Sequence, residues 1–438
     1  MIKIKLGKMG NNIFATLGSQ IFAGLFQLGI VVLIARIYGP EVNGRYAIAL
    51  LLPGLLATTL NLGIAPANVY YLGAGFYSAR AVFLTNIRFA LILSVSGMCL
   101  GATLISYKGE EFFPGISQFM LFLALLVFPF SLAQGFILSI FQGLQRFKEY
   151  NIALISYPIL VFISVIVLII AGIEDFSYLI IANIFGIFVS LILSLTMLRK
   201  HLNKSDSDKL YPIKTALNYG YKAHLSNILA FLNYKADIFL VNLFITPTAA
   251  GVYVISVQIS ERLWLLSQAV STVALPHLSQ LRGNEEARTT LTPLLARLTL
   301  TVTFVAASML AIIAYPLVLF LFGDEFKHSI IPLLTLLPGI VAGSASRILS
   351  NDIAARGRPE LNMYMSIFTV SINIIGNIIL IPLHGLFGAA LATSLAYSLN
   401  FAIRLFFYWR LTNVTPNKVL FIRFEDILML YKLFFTKK

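Results

Sequence analysis

The 438-residue chain is 58% hydrophobic and only 11% charged, with a formal net charge of +14, whereas a soluble domain carries about 25% charged residues. That excludes a soluble globular protein and predicts an all-α polytopic membrane protein, because in lipid every backbone polar group has to be satisfied internally. The single cysteine, Cys99, excludes an intrachain disulfide.

The start, MIKIKLGKMGNN, leads into an apolar run too long for a signal-peptide core. Twelve spans are predicted, near 12–35, 45–71, 82–106, 118–141, 152–172, 178–198, 223–245, 252–275, 294–320, 330–350, 362–382 and 386–411. Each has the roughly 20 residues needed to cross about 30 Å of hydrocarbon. Pro53, Pro66, Pro129, Pro316 and Pro338 fall inside them, so kinks are expected.

Lys and Arg set the orientation. Of the 32, 23 lie on the side of the two termini, four lie on the opposite side, and five lie within spans. Both termini are therefore expected in the cytosol. The basic excess is a topology signal, which removes the nucleic-acid reading. The longest connector, 199–222, divides the spans into two sets of six. The expected domains are a six-helix bundle over 1–200, a cytosolic linker at 201–222, a second six-helix bundle over 223–411 and an amphipathic basic tail at 412–438. Two internal echoes support a duplication. Pro40, Gly44 and Tyr46 recur as Pro247, Gly251 and Tyr253, and Ile137-Leu138-Ser139 recurs as Ile348-Leu349-Ser350. Two halves in the same orientation, related by a pseudo-two-fold axis, fit the parallel-repeat plan of transporters, with substrate bound between them.

The seventh and eighth spans are unusual. The seventh carries Lys235 and Asp237, and the eighth carries Glu261 and Arg262. Counted at 1.5 Å per residue, all four lie about 14–20 Å from the nearer membrane edge. A charge at that depth costs about 2.5–3.5 kcal/mol even on insertion scales, so these groups are expected to face a water-filled cavity or one another. His224, Lys235 and Asn242 fall along one side of the seventh span, and Ser226, Asn233 and Asp237 on the other. Lys235 and Arg262 are therefore candidates for binding an anion at the midplane. Arg88, Arg297 and Arg347, nearer the cytosolic edge, are candidates for an electropositive vestibule, since guanidinium groups pair with phosphate. Asp237 and Glu261 are candidates for binding a coupling H⁺ or Na⁺, or for pairing helices, with Arg262 as a partner. Tyr234, Asn233 and Tyr253 are candidate sugar contacts.

Catalysis has little support. The five histidines are scattered, and no zinc-protease, paired-cysteine or phosphate-loop motif occurs. No metal or organic cofactor is expected. The outer segments 107–117 and 321–329 offer only Lys108, Glu110, Glu111, Asp324, Glu325, Lys327 and His328, so a polymerase or ligase is the weaker reading.

Several stretches, in order along the chain, carry a resemblance: ARIYGPEVNGRYAIAL from Ala35, NLGIAPANVYYLG from Asn61, GLQRFKEYN from Gly143, LNYKADIFLV from Leu232, AAGVYVISVQISERLW from Ala249 and LIPLHGLFGAALATSLAYS from Leu380. Together they resemble the oligosaccharide-lipid flippases of polysaccharide biosynthesis, the Wzx-type branch of the multidrug/oligosaccharidyl-lipid/polysaccharide exporter superfamily. The resemblance implies a MATE-like exporter fold in a bacterial cytoplasmic membrane. It also implies alternating access driven by an ion gradient, and an undecaprenyl-diphosphate-linked oligosaccharide repeat as substrate. Polymerase and chain-length proteins of an O-antigen, capsule or exopolysaccharide pathway would be the partners. Twelve spans rather than fourteen argue against a lipid II substrate. Rival readings are a drug or small-metabolite exporter of the same superfamily and a membrane glycan polymerase or ligase. The excess of buried bases over midplane acids favours an anionic cargo.

Overall fold

A computed structural model describes residues 6–202, 211–280, 284–423 and 426. Residues 203–210 of the expected linker and the tail beyond Asp426 lie outside the described residues. Among the described residues the chain is helical, with no strand.

The first helix, α1, runs Leu6–Ala49 and bends at Gly39 (φ 80°), immediately before Pro40. Glycine is needed there because only it adopts a positive φ without a Cβ penalty. α2 (Leu51–Leu60) and α3 (Ile64–Gly73) are separated by Gly63, again at positive φ (74°). The predicted span 45–71 is thus broken rather than straight. Ser78 caps α4 (Ala79–Phe112) by accepting the Ala81 N–H, and Ser117 caps α5 (Gln118–Leu125) in the same way from Met120. The chain continues through α6 (Val127–Gly143), α7 (Phe147–Ile170) and α8 (Ser177–Arg199). α9 (Ile213–Phe244), α10 (Pro247–Glu261) and α11 (Trp264–Gln280) follow. Asn284 caps α12 (Glu285–Phe322) with Glu285 and Glu286 in its first turn, where carboxylates complement the helix dipole. A 3₁₀ turn at Asp324–Ser329 leads to α13 (Ile330–Ala355). α14 (Pro359–Thr412) bends at Gly385 (φ 59°), and α15 (Asn417–Leu420) closes the described chain.

Among the described residues, eight helical segments are long and apolar enough to cross a membrane. Two of these, 15–60 and 360–412, each take in all or part of two of the twelve predicted spans, joined through a glycine bend instead of a loop. The predicted spans 223–245 and 252–275, now α9 and α10–α11, are not among the eight. They are the stretches that carry the midplane charges. The protein is a multi-pass membrane protein.

The chain divides into two compact units, Met1–Val252 and Tyr253–Lys438, with the division inside α10. In the first unit α9 packs on the N-terminal helices, and buried polar pairs tie those helices together. Asn68 Nδ2 donates to Ser139 Oγ at 2.9 Å, and Gln134 Nε2 donates to Ser194 Oγ at 3.0 Å. Tyr157 donates to Asn183, which in turn donates to Tyr46. In hydrocarbon such bonds hold helices together because no water competes for the donors. The second unit has its own set: Trp264 Nε1 donates to the Ile340 carbonyl at 3.0 Å, and Asn373 Nδ2 donates to Thr393 Oγ1 at 3.1 Å. Cys99 is exposed on α4.

Candidate functional site

In the first unit the site follows α9, which touches the N-terminal helices along its length. Near its start Gly220 meets Gly63 backbone to backbone: a methyl group on either glycine would come within 2.1–2.3 Å of the other's carbonyl oxygen. Midway, the Phe231 ring lies over Gly54 of α2. Further along, Phe239 meets the edge of Phe113 with ring centroids 5.8 Å apart, and Asn242 Nδ2 donates to the Pro114 carbonyl at 3.4 Å.

Beyond α9 comes a second backbone contact. A Cβ on Gly44 would lie 1.8 Å from the Pro247 carbonyl oxygen, and one on Gly251 would lie 1.9 Å from that of Pro40. Asn43 Nδ2 donates across the contact to the Gly251 carbonyl at 3.0 Å. The two copies of the Pro-x-x-x-Gly repeat therefore clasp each other. Small residues permit this approach.

Lys235 lies between these two closures, four residues after Phe231 and four before Phe239. Residues four apart share a helix face, so Lys235 is on the face that α9 turns to the N-terminal helices, and it is half-buried there. Asp237 is on the opposite sector and only 2% exposed, with one carboxylate oxygen accepting the Ile238 N–H at 2.8 Å. Asn233 and Tyr234, the neighbouring sugar-contact candidates, are half-buried. Tyr253, also expected as a sugar contact, is fully buried.

In the second unit, Glu261 ends α10 and Trp264 starts α11, so Arg262 stands in a helix break in the middle of the predicted span. Its Nη2 donates to Gln258 Oε1 at 3.1 Å, while Nε is buried with no hydrogen-bond partner among the described residues. The Arg347 guanidinium lies over the Trp264 ring, 5.5 Å from its centre. Cation–π attraction therefore holds Arg347 against the break that carries Arg262.

The other two cations are placed differently. Arg88 is exposed on α4. Arg297, expected to meet substrate, is 8% exposed and grips both carboxylate oxygens of Asp426, with Nη1 donating to the Lys418 carbonyl at 2.9 Å. Its donors are taken by the chain itself, and it anchors the C-terminal segment to α12. Of the five expected cations, Arg88 and Lys235 belong to the first unit, and Arg262, Arg297 and Arg347 to the second.

Sequence reasoning missed a second buried network. Asp352, fully buried, accepts from Arg356 Nε at 2.6 Å and faces Arg288 Nη2 at 3.4 Å, while Arg356 also pairs with Glu285. The i, i+4 spacing of Asp352 and Arg356 was its one local signal.

A family model described as polysaccharide biosynthesis protein matches residues 33–331. The chain belongs to the polysaccharide biosynthesis protein family. The matched segment covers both Pro-x-x-x-Gly copies, Lys235 and Arg262. This family member is 25% identical over 384 residues to the probable low-salt glycan biosynthesis flippase Agl15 of Haloferax volcanii, covering 86% of this chain and 78% of that one. Its fold is similar to the lipid II flippase MurJ in an inward closed conformation, with a TM-score of 0.76 at 18% identity, covering 96% and 93% of the two chains. It is also similar to an inward-facing multidrug resistance MATE family transporter of the MOP superfamily, with a TM-score of 0.69 at 14% identity, covering 92% and 98%. The polysaccharide biosynthesis protein thus has the exporter fold.

Proposed function

We propose that this polysaccharide biosynthesis protein is a flippase that carries a lipid-linked oligosaccharide across the cytoplasmic membrane by alternating access. The observation that carries the reading is Lys235: a cation half-buried at mid-span on α9, with a backbone closure towards each end of that helix. Membership of the family and the likeness to a glycan biosynthesis flippase support it.

The physical task is clear. A diphosphate bearing sugars cannot enter hydrocarbon because its charges and hydroxyls would lose their water. A cation at mid-depth replaces part of that hydration, and hydrogen bonds to charged groups are stronger than neutral ones. The carrier is undecaprenyl diphosphate, with Lys235 and Arg262 meeting the phosphates and Arg88 and Arg347 drawing the anion towards them. Asn233 and Tyr234 contact sugar. Asp237 or Glu261 binds the coupling H⁺ or Na⁺, which biases one access state only by its differential affinity for the two. Both termini face the cytosol.

The test is transport in proteoliposomes, reading the accessibility of a lipid-linked oligosaccharide to an impermeant glycan-modifying enzyme. Lys235→Ala and Arg262→Ala should each slow translocation about ten- to hundredfold, the range for losing a charged hydrogen bond, and Lys235→Arg should restore part of it. Wild-type rates in both alanine variants would overturn the assignment.

A further inference from the structure

Away from α9, the first unit contains an apolar groove of about 260 Å³ between α4, α6 and α8. Phe83, Ala90 and Ser94 line it from α4, Phe130 and Ala133 from α6, and Leu191 from α8. One lining residue does not belong in such a wall. Asn86 is 3% exposed, and both its amide nitrogen and its amide oxygen lack a partner among the described residues. An unpaired buried polar group is costly anywhere, and more so in hydrocarbon where no water stands in.

The length of α4 places this amide in the bilayer. Its 34 residues extend about 51 Å, against a hydrocarbon thickness of about 30 Å. Centred in the membrane, the helix leaves about 10 Å, or roughly seven residues, outside the hydrocarbon at each end. Asn86 then lies at the boundary where lipid chains join their headgroups, with the groove continuing inward from it. Arg80 lies six residues nearer the headgroups, about 9 Å along the axis. At about 3.6 residues per turn, Arg80 falls within the same angular sector as Phe83, Asn86, Ile87 and Leu91. It is half-buried and belongs to no ion pair among the described residues.

We propose that this groove binds one membrane phospholipid with ester-linked chains and an anionic headgroup, taken from the leaflet at the N-terminal end of α4. The Asn86 Nδ2 donates to the ester carbonyl, one acyl chain fills the apolar groove, and Arg80 meets the phosphate. An ester carbonyl is an acceptor at the right depth, and a plain hydrocarbon chain would leave Asn86 unpaired. The proposal does not depend on which cargo the protein carries.

The experiment is native mass spectrometry of the full-length protein in detergent. The probes are phosphatidylglycerol, its ether-linked analogue, phosphatidylcholine and undecaprenyl phosphate, each titrated separately and in competition. Wild type should retain one phosphatidylglycerol about tenfold more strongly than the ether analogue, the scale of one buried hydrogen bond. Asn86→Leu should remove that difference, and Arg80→Gln should remove the preference over phosphatidylcholine while leaving it. Ala133→Phe, which fills the groove from α6, should lose the bound lipid in all three phospholipid titrations, and it keeps the test decisive if Asn86→Leu does not fold. Equal ester and ether retention in wild type, unchanged retention in Asn86→Leu or Ala133→Phe, or one-for-one displacement by undecaprenyl phosphate would each overturn the proposal.

Discussion

Lys235 and Arg297 are both cations inside long helices, yet their surroundings separate them. Arg297 donates to Asp426 and to a backbone carbonyl, and the pair is almost dry. Lys235 is half-buried between two phenylalanines on a helix face. Depth along the helix was readable from sequence for both; the partner was not, because Asp426 lies 129 residues from Arg297 in a tail that reads as a solvated basic segment. The guanidinium beside Asp426 holds its carboxyl below the ordinary value of 3.8. A folded pKa below the unfolded one means that the clamp contributes fully above the ordinary carboxylate range and is lost as pH falls through the depressed value. Amide hydrogen exchange over 414–423 should therefore stay slow from neutral pH down to about 4 and accelerate only below it. Asp426→Asn should give fast exchange at neutral pH, because breaking a buried ion pair from one side costs about 3–5 kcal/mol. Equal exchange in wild type and variant would show that the tail is held by other contacts.

At the scale of elements, the Pro-x-x-x-Gly repeat was legible as a duplication, but not as a contact. Nothing local in residues 40–44 indicates that they pack on their own copy 207 positions later, since the requirement for glycine comes from the partner backbone. The same limit applies to the eighth predicted span. Hydropathy shows one apolar run, whereas the helix stops at Glu261 and restarts at Trp264. Gly251→Ala should push α1 and α10 apart by about 1 Å or more, because the new methyl group would otherwise lie 1.9 Å from the Pro40 oxygen. Overpacking of that kind costs about 1–3 kcal/mol. The thermal midpoint of the purified protein should fall, and spin labels flanking the contact should read a longer distance. An unchanged midpoint and distance would mean that the clasp opens and closes without those glycines.

At the scale of the molecule, the class of fold was fully legible because lipid imposes it: apolar runs of spanning length leave only helices. The number of crossings was less so. A tight glycine bend joins two crossings into one continuous helix at Gly39 and again at Gly385, while the break at Arg262 leaves α10 and α11 only 15 and 17 residues long, each too short to count as a crossing. Loss of the whole protein should trap lipid-linked single repeats with their sugars facing the cytosol, read by enzymatic accessibility in intact cells and spheroplasts. Repeats accumulating on the outer face would point to a polymerase or ligase instead. The molecule holds a single thiol, exposed on α4 rather than packed in a core, so replacing it with serine disturbs little. That one exchange yields a background free of native thiols, in which paired probes on α1 and α10 report only on themselves while the carrier turns over.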